Sequence, residues 1–340
     1  MVQGNKLLLF GTVVTSTLVL IQFLLLSEEA TMYFEEEAVK KIPVFEQRKT
    51  LPVVLMHGMG DAANNGGMIR IQKAIAAQLG VYVASIQLGN SVKEDVENSF
   101  FITMDNQTDM FAKIVQEDPQ LAQGFNAAGF SQGNLLIRAY IERYNNPPVY
   151  NFISFHGPLA GVGGLPRCSP LNFICKEIDK TGLFPCSFSV LTLLFISEHL
   201  AQANYYRDSL LIEAYLKHAK FLPDLNNEKS LTNQKYKENF SKLQNLVLVR
   251  ANQDTQVFPK ESEWFGMYQD GDPNKTVLGF NETRWYQEDL FGLKTLDEAG
   301  KVHFLSTEGD HLRFSLEFLL GVVDKYFRLH VIDSEIELQR

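Results

Sequence analysis

Clustered basic residues are missing from this sequence, and cysteine is rare. The 340 residues contain 31 Lys and Arg against 40 Asp and Glu, for a formal net charge of −9 at pH 7, and 3 cysteines. A nucleic-acid-binding surface needs grouped lysine and arginine to neutralise phosphates, so the composition argues against nucleic acid as a partner. The hydrophobic fraction of 45% argues against disorder and suffices for a large core, in one α/β domain or in two smaller domains.

Sequence signatures of bound metals and nucleotides are also missing. There is no H-E-x-x-H, no G-x-x-x-x-G-K-[ST], and no G-x-G-x-x-G after a predicted strand. The cysteines Cys168, Cys175 and Cys186 have poor spacing for zinc and no histidine nearby. We therefore expect no metal and no cofactor. In an oxidising compartment, CSPLNFIC could close a small disulfide loop and leave one cysteine over.

One uncharged run is long enough to span a bilayer as a helix. It covers residues 7–26, LLLFGTVVTSTLVLIQFLLL, directly after Lys6. Its place at the N-terminus favours a membrane-targeting segment over a buried core helix. No clean A-x-A cleavage pattern follows, so residues 1–30 are expected to be either a cleaved signal peptide or an uncleaved signal anchor.

Glycosylation sequons are consistent with entry into the secretory pathway. Each N-x-[ST] sequon is a weak signal alone, and each would need a position on the surface. The candidate residues are Asn106, Asn239, Asn274 and Asn281.

Beyond the N-terminal run, apolar runs alternate with amphipathic helical stretches. Strands are predicted over residues 51–58, 81–88, up to Phe130, 149–157, 245–254 and 301–307, and helices over 68–79, 107–118, 133–144 and 311–328. This alternation predicts a mostly parallel sheet with helices on both faces, in a domain over residues 45–328 with an insertion at 157–244. In such a sheet, the chemistry lies on loops at the carboxyl ends of strands.

A G-x-S-x-G pattern lies where one of these strands meets a helix. Gly129, Ser131 and Gly133 lie within FNAAGFSQGN, and LLIRAYIERY follows as a helix. The pattern is typical of a sharp turn that holds a nucleophilic serine, with glycines where a side chain would clash between strand and helix. A serine that merely caps the helix is the alternative. The position at a strand end favours the nucleophile.

A nucleophilic serine needs a histidine base and a carboxylate that orients the base. His311, in STEGDHLRF, follows the last strand in a loop and is the predicted base. Asp254 comes directly after the strand NLVLVR and is the predicted acid. Asp270 and Asp272 lie in a polar turn farther from a strand end, and Asp310 is too close to His311 along the chain to aim at its ring.

An oxyanion hole requires two main-chain N–H groups near the serine. Gln132 is predicted to offer one, because it follows the serine at the N-terminus of a helix, where the helix dipole favours negative charge. Met59, in the HGMG loop after the first strand, is predicted to offer the other. His57, just before it, is expected to be a structural hydrogen-bonding residue.

Seven blocks of sequence resemble those of the lysosomal palmitoyl-protein thioesterases, in the same order and spacing over roughly residues 51–325. They are HGMGD, EDVENSFF, GFNAAGFSQGN, GLPRC, SEWFGMY, QEDLFGLKTLDEAG and TEGDHL. The resemblance implies an α/β-hydrolase that removes long-chain fatty acyl groups such as palmitate from cysteine residues of lipidated proteins during lysosomal degradation. It also implies Ser131 as nucleophile, Asp254 as acid, His311 as base, and Met59 and Gln132 as oxyanion donors.

Several segments differ from the family pattern. Asn134 stands where the family commonly has a second glycine, and SFHGPLAGVGG differs from the usual residues after its strand. Cys168 and Cys175 resemble a family disulfide, whereas the other family cysteines are absent. The tail 329–340 lies beyond the resemblance.

A long-chain acyl substrate would need a matching groove in the protein. Burying a palmitoyl chain at about 0.8 kcal/mol per CH₂ requires a long apolar groove beside the serine. The insertion 157–244 is predicted to build it, with LFPCSFSVLTLLFISEHL, residues 183–200, as the acyl wall or as ordinary core, and with possible contact to a membrane surface. An acyl-CoA thioesterase or a general lipase or esterase is the alternative function, because the same triad would also hydrolyse those esters.

Overall fold

The computed structural model describes residues 50–164 and 200–328, all within the unit Lys49–Arg340. The N-terminal run at 7–26, the three cysteines, residues 183–199 of the predicted acyl wall and the tail lie outside the described residues. The expectations that rest on them therefore remain predictions. Within residues 50–164 and 200–328, no helix is long and apolar enough to cross a membrane.

Six parallel strands form the central sheet. They are β1 (Val53–Met56), β2 (Val83–Ser85), β3 (Phe125–Phe130), β4 (Val149–Phe155), β5 (Asn245–Ala251) and β8 (Val302–Thr307), arranged in the order β2-β1-β3-β4-β5-β8. The four central strands are apolar almost throughout because helices cover both faces of the sheet. A separate antiparallel pair joins β6 (Met267–Tyr268) to β7 (Val277–Leu278).

Ten α-helices occur in the described residues. They are α1 (Gly66–Leu79), α2 (Val92–Phe101), α3 (Met104–Glu117), α4 (Gly133–Arg143), α5 (Ile212–His218), α6 (Phe221–Leu225), α7 (Gln234–Phe240), α8 (Arg284–Gln287), α9 (Leu293–Glu298) and α10 (Leu316–Phe327). Short 3₁₀ turns lie at Ala201–Asn204, Lys260–Trp264 and Phe280–Glu282.

The two faces of the sheet bury separate cores. On one face, α1 and α10 pack together over side chains such as Leu55, Ile153 and Val249. On the other face, α3, α4 and the helices between β4 and β5 enclose a larger core that includes Phe111, Phe221 and Phe240. This arrangement confirms the predicted α/β-hydrolase fold, with its parallel sheet and helices on both faces.

Some element bounds differ from the predicted ones. Helix α2 was not predicted, yet it is well capped, since Ser91 accepts a hydrogen bond from Glu94 N. The last helix begins at Leu316 and not near residue 311, because Ser315 caps it by accepting from Phe318 N. The residues between β8 and α10 are consequently free to form a loop that carries His311.

Candidate active site

Ser131 lies in a sharp turn between β3 and α4. Its φ of +52° is in the left-handed region, which costs energy for a residue with a side chain. Ser131 N donates to Phe155 O at 3.0 Å, which ties the turn to the neighbouring strand β4. Asn134 strengthens the turn, because its buried side-chain amide donates to the main-chain oxygens of Ser131 and Phe155 at 3.0 Å each.

The glycines on either side of Ser131 have no room for a side chain. A Cβ atom on Gly133 would collide with the main-chain oxygens of Met56 and His57, and one on Gly129 would collide with the side chain of Asn134. Gly58 also approaches closely, since a Cβ there would lie 3.0 Å from the Cβ of Ser131. The loop after β1 therefore runs directly beside the serine.

The structure brings the three predicted triad residues together. His311 Nε2 lies 2.8 Å from Ser131 Oγ, and His311 Nδ1 lies 2.6 Å from Asp254 Oδ2. Asp254 can only accept when ionised, so Nδ1 carries the proton and the Nε2 lone pair faces the serine hydroxyl. The Asp254 side chain is fully buried and that of His311 is 13% exposed. A base oriented in this way can remove the hydroxyl proton of Ser131.

The surroundings of Asp254 keep its carboxylate ionised. Burial favours the neutral acid, but the hydrogen bond and charge of His311, a hydrogen bond from Glu263 and a main-chain hydrogen bond outweigh it and lower the pKa of Asp254 to about 2. Asp254 Oδ1 accepts from Gln256 N at 2.6 Å and from Val257 N at 2.7 Å. The anion that orients His311 thus persists in acid.

Glu263 is a second carboxyl beside Asp254, and sequence reasoning gave it no role. Its Oε2 accepts from Ala251 N at 2.7 Å, and its Oε1 has no donor among the described residues. Burial and the adjacent Asp254 raise the pKa of Glu263 well above its usual value. The raised pKa of Glu263 and the lowered pKa of Asp254 favour a proton on Glu263 and an anion on Asp254. No local motif could have revealed this pairing.

The loop that carries His311 is held by side chains around it. Asp310 accepts from His311 N at 2.7 Å and from Thr255 N at 2.8 Å, so it binds the main chain and not the imidazole ring. The prediction that Asp310 does not aim at the ring agrees with this geometry. On the other side, Leu312 N donates to His156 Nδ1 at 2.8 Å.

The predicted oxyanion donors are Gln132, directly after the serine, and Met59, directly after the Gly58 that approaches it. Gln132 directly follows Ser131 and is 2% exposed, and its side chain is fixed by Ser99 O and Tyr205. Neither its N–H nor that of Met59 makes a hydrogen bond to another described residue. His57 lies behind this loop, with Nε2 3.1 Å from Asp95 Oδ1 and Nδ1 2.8 Å from Gly58 O. It holds the loop in place, as expected of a structural residue.

Three acidic and basic groups of this region form a cluster of the type that can hold a metal. His156, Asp254 and His311 present ligand atoms within 4.8 Å of one another. However, Leu312 N–H occupies the Nδ1 lone pair of His156, and Asp254 binds the Nδ1 proton of His311. A metal would have to break these hydrogen bonds, so the geometry fits a hydrogen-bonded relay better than a metal site.

The remaining candidates lie elsewhere. Asp270 pairs with Arg207 at 2.6 Å and Asp272 binds its own turn, so neither reaches His311. Among the sequons, Asn106, Asn274 and Asn281 are exposed. Asn239 is 5% exposed and its Nδ2 donates to Glu142 O at 3.1 Å, so it does not meet the surface requirement of a glycosylation site.

Comparisons with known proteins identify the family. The model of the family described as palmitoyl protein thioesterase matches residues 52–311. This chain belongs to the palmitoyl-protein thioesterase family. It is 41% identical over 286 residues to palmitoyl-protein thioesterase 1 of Caenorhabditis elegans, covering 82% of this chain and 92% of the relative.

Further relatives and a solved structure are also similar to this chain. Palmitoyl-protein thioesterase 3 of Dictyostelium discoideum is 39% identical over 271 residues, covering 79% of this chain and 87% of the relative. A lysosomal thioesterase PPT2 homolog of Drosophila melanogaster is 29% identical over 253 residues, covering 74% and 82%. Est1E from Butyrivibrio proteoclasticus aligns in structure with a TM-score of 0.41 at 13% identity, covering 82% of this chain and 88% of Est1E.

Proposed function

We propose that this thioesterase hydrolyses long-chain fatty acyl groups, such as palmitate, from cysteine residues of proteins, with Ser131 as nucleophile. The observation that carries the proposal is the hydrogen-bonded series from Asp254 through His311 to Ser131, at 2.6 and 2.8 Å, in a chain of this family. Serine acyl transfer of this kind needs no metal or cofactor.

Acylation begins when Ser131 Oγ attacks the thioester carbonyl carbon while His311 Nε2 takes the hydroxyl proton. Asp254 accepts from Nδ1 and stabilises the resulting imidazolium. The carbonyl oxygen becomes an oxyanion in the tetrahedral intermediate, and the N–H groups of Met59 and Gln132 are proposed to bind it. Gln132 lies just before α4, so the partial positive charge at the start of that helix adds to the stabilisation.

Collapse of this intermediate breaks the carbon–sulfur bond. A cysteine thiol has a pKa near 8.5, so its thiolate leaves readily and needs less protonation from His311 than an alkoxide would. The imidazolium gives its proton to the departing sulfur or to solvent, and the neutral His311 then removes a proton from water, which attacks the acyl-serine. His311 returns that proton to Ser131 Oγ as the fatty acid is released. The same residues would also cleave oxygen esters, so selectivity for thioesters must come from the pocket.

The acyl chain is proposed to lie against the insertion between β4 and β5. Burial of the chain at about 0.8 kcal/mol per CH₂ would supply much of the binding energy. In the described part of the insertion, Gly161 and Val162 pack against Tyr205 and Leu222, and Tyr205 in turn donates to Gln132. The insertion is thereby connected to the serine turn.

The lysosome is proposed as the site of action, since several relatives carry the name lysosomal thioesterase. S-acylated proteins or peptides are the proposed partners. The low pKa of Asp254, about 2, would keep the orienting anion in place in an acidic compartment.

Hydrolysis of an S-palmitoyl cysteine peptide and of a matched palmitoyl oxygen ester tests the proposal. The wild-type protein is expected to prefer the thioester, and Ser131→Ala is expected to lose activity by several orders of magnitude. Preference for the oxygen ester would change the function to that of a lipase or esterase. Equal rates for the wild type and Ser131→Ala would refute the role of Ser131.

A further inference from the structure

His156 occupies an unusual place directly after β4. Its φ of +49° lies in the left-handed region, where a glycine would be unstrained. The side chain is nevertheless fully buried, and its main-chain N–H donates to Val249 O at 3.0 Å. A strained, buried histidine in such a place suggests that its ring makes contacts that a glycine could not make.

Both ring nitrogens of His156 are engaged, and the partners fix the tautomer. Leu312 N–H can only donate, so His156 Nδ1, 2.8 Å away, must be an unprotonated acceptor. In the neutral ring the proton is then on Nε2, which donates to Thr307 Oγ1 at 3.0 Å. The ring thus connects the last residue of β8 with the residue after His311.

We propose that His156 is a positioning residue, whose neutral ring holds the loop that carries His311 in register with Ser131. The inference rests on the proposed function, because the loop matters for activity only if His311 is the base. Leu312 has a φ of +54°, and the bond from its N–H to His156 offsets the strain of that conformation. With Asp310 on the other side, His311 is held by hydrogen bonds at both of its neighbours.

Burial of His156 outweighs the attraction of nearby acids and favours a neutral ring. The His311 ring centre lies 6.0 Å away and Asp254 and Asp310 are the nearest acids, while Thr307 and Phe314 complete the surroundings. Burial and the repulsion of His311 lower the pKa of His156 to about 4, against the opposing effect of the two acids. The Nδ1 acceptor therefore persists in moderately acidic solution.

Three variants test separately the hydrogen-bond acceptor, the volume of the ring and the strain of the main chain at residue 156. Asn tolerates a positive φ and places its Oδ1 close to the position of Nδ1. Displacement of a catalytic group can lower the rate by up to ~10²-fold. Because His156→Asn keeps the acceptor that holds the His311 loop, its kcat is expected within about threefold of the wild type. His156→Gly relieves the strain but removes the acceptor. His156→Phe keeps a ring at this position but also lacks the acceptor. Both are expected to lower kcat about 10- to 100-fold, with KM nearly unchanged.

Wild-type kcat in His156→Gly would overturn the proposal, and so would equal losses in His156→Asn and His156→Gly. NMR of the ¹⁵N-histidine-labelled wild type tests the ring directly, without reference to the activity of the variants. At pH 6, the signal that disappears in His156→Asn is expected to show a neutral ring protonated on Nε2. A ring protonated on Nδ1 would overturn the proposal. Because this readout does not depend on catalysis, failure of the proposed thioesterase activity would be recognised separately.

Discussion

At the scale of the residue, Asp254 and Glu263 are neighbouring carboxyl groups whose pKa values are shifted in opposite directions. The pKa of Asp254 is lowered to about 2, whereas that of Glu263 is raised well above its usual value by burial and by Asp254 itself. These shifts favour a proton on Glu263 and leave the anion on the residue that faces His311. Pairs of titratable groups whose environments separate their pKa values are typical of catalytic sites.

Replacement of Glu263 tests whether it supplies a proton. Glu263→Gln can still donate to Asp254 and accept from Ala251 N, so kcat at pH 5 is expected within about threefold of the wild type. Glu263→Ala removes both bonds and leaves a buried N–H unpaired, at a cost of about 1–3 kcal/mol in stability, and kcat is expected to fall. Steady-state kinetics and thermal unfolding of both variants measure these effects. Equal losses of kcat in both variants would show that residue 263 must be a carboxylate and not a hydrogen-bond donor.

The residues of the proposed triad could be predicted from the sequence because each one comes just after a strand. Ser131, Asp254 and His311 follow β3, β5 and β8, and parallel strands bring those ends to one edge of the sheet. Glu263 lies twelve residues beyond the end of β5, and His156 directly follows β4 but was given no role, so the same rule did not identify either one. Their roles depend on which side chains are buried beside them, and no spacing along the chain encodes that.

At the scale of the element, α4 depends on the absence of a side chain at its first residue. Gly133→Ala is expected to destabilise the protein strongly, because the new Cβ would collide with the main-chain oxygens of Met56 and His57. Main-chain atoms cannot move aside without disturbing the packing around them. Gly321→Ala in α10 is the matched control. No atom lies within 4 Å of its Cβ position, so this substitution is expected to stabilise the helix by about 0.5–1 kcal/mol. Chemical denaturation of both variants measures the difference. Similar effects of the two would contradict the packing described for the turn.

The same helix is joined to the insertion by the buried side chain of Arg138, which also pairs with Glu142 within the helix. Arg138 bonds Glu142 at 2.7 Å, both fully buried, and also donates to Asn226 and to Leu159 O. Removing one partner of a buried pair leaves an uncompensated charge, so Arg138→Ala is expected to cost about 3–5 kcal/mol in the free energy of unfolding.

Lys113→Ala provides the comparison for Arg138→Ala. Lys113 pairs with Glu117 at the same helical spacing but on the surface, with side chains 74% and 67% exposed. An exposed helical pair of this kind contributes about 0.3–0.5 kcal/mol. Urea denaturation of both variants should therefore give very different losses. Comparable small losses would mean that the Arg138 network does not secure the insertion.

At this scale the sequence predicted the six strands of the central sheet and four of the ten described helices, with bounds that differ by a few residues. Strongly apolar strands such as β3 and β5 were located within a few residues. Helix α2 was missed because its apolar positions are few, and its start depends on the cap at Ser91. The shortened α10 likewise depends on the cap at Ser315.

At the scale of the whole molecule, His156 makes stability depend on pH. Its pKa is about 4 in the folded protein and about 6.5 in the unfolded chain, so between these values the unfolded state binds the extra proton. The free energy of folding that depends on a neutral His156 is therefore fully present above pH 6.5. It is lost progressively as the pH falls from 6.5 to 4, and the total loss is roughly 3 kcal/mol. The wild type is expected to lose more stability than His156→Asn between pH 7 and pH 4. Parallel pH dependence of the two melting temperatures would contradict this assignment.

Ser131 is proposed to carry the acyl group during thioester hydrolysis. The most direct measurement is an acid quench of the wild-type protein during turnover of an S-palmitoyl peptide, followed by mass spectrometry of the digested protein. A palmitoyl ester is expected on Ser131 of the wild type and is expected to be absent from Ser131→Ala. Consumption of the thioester without any acyl group on Ser131, or with the group on another residue, would contradict this proposal.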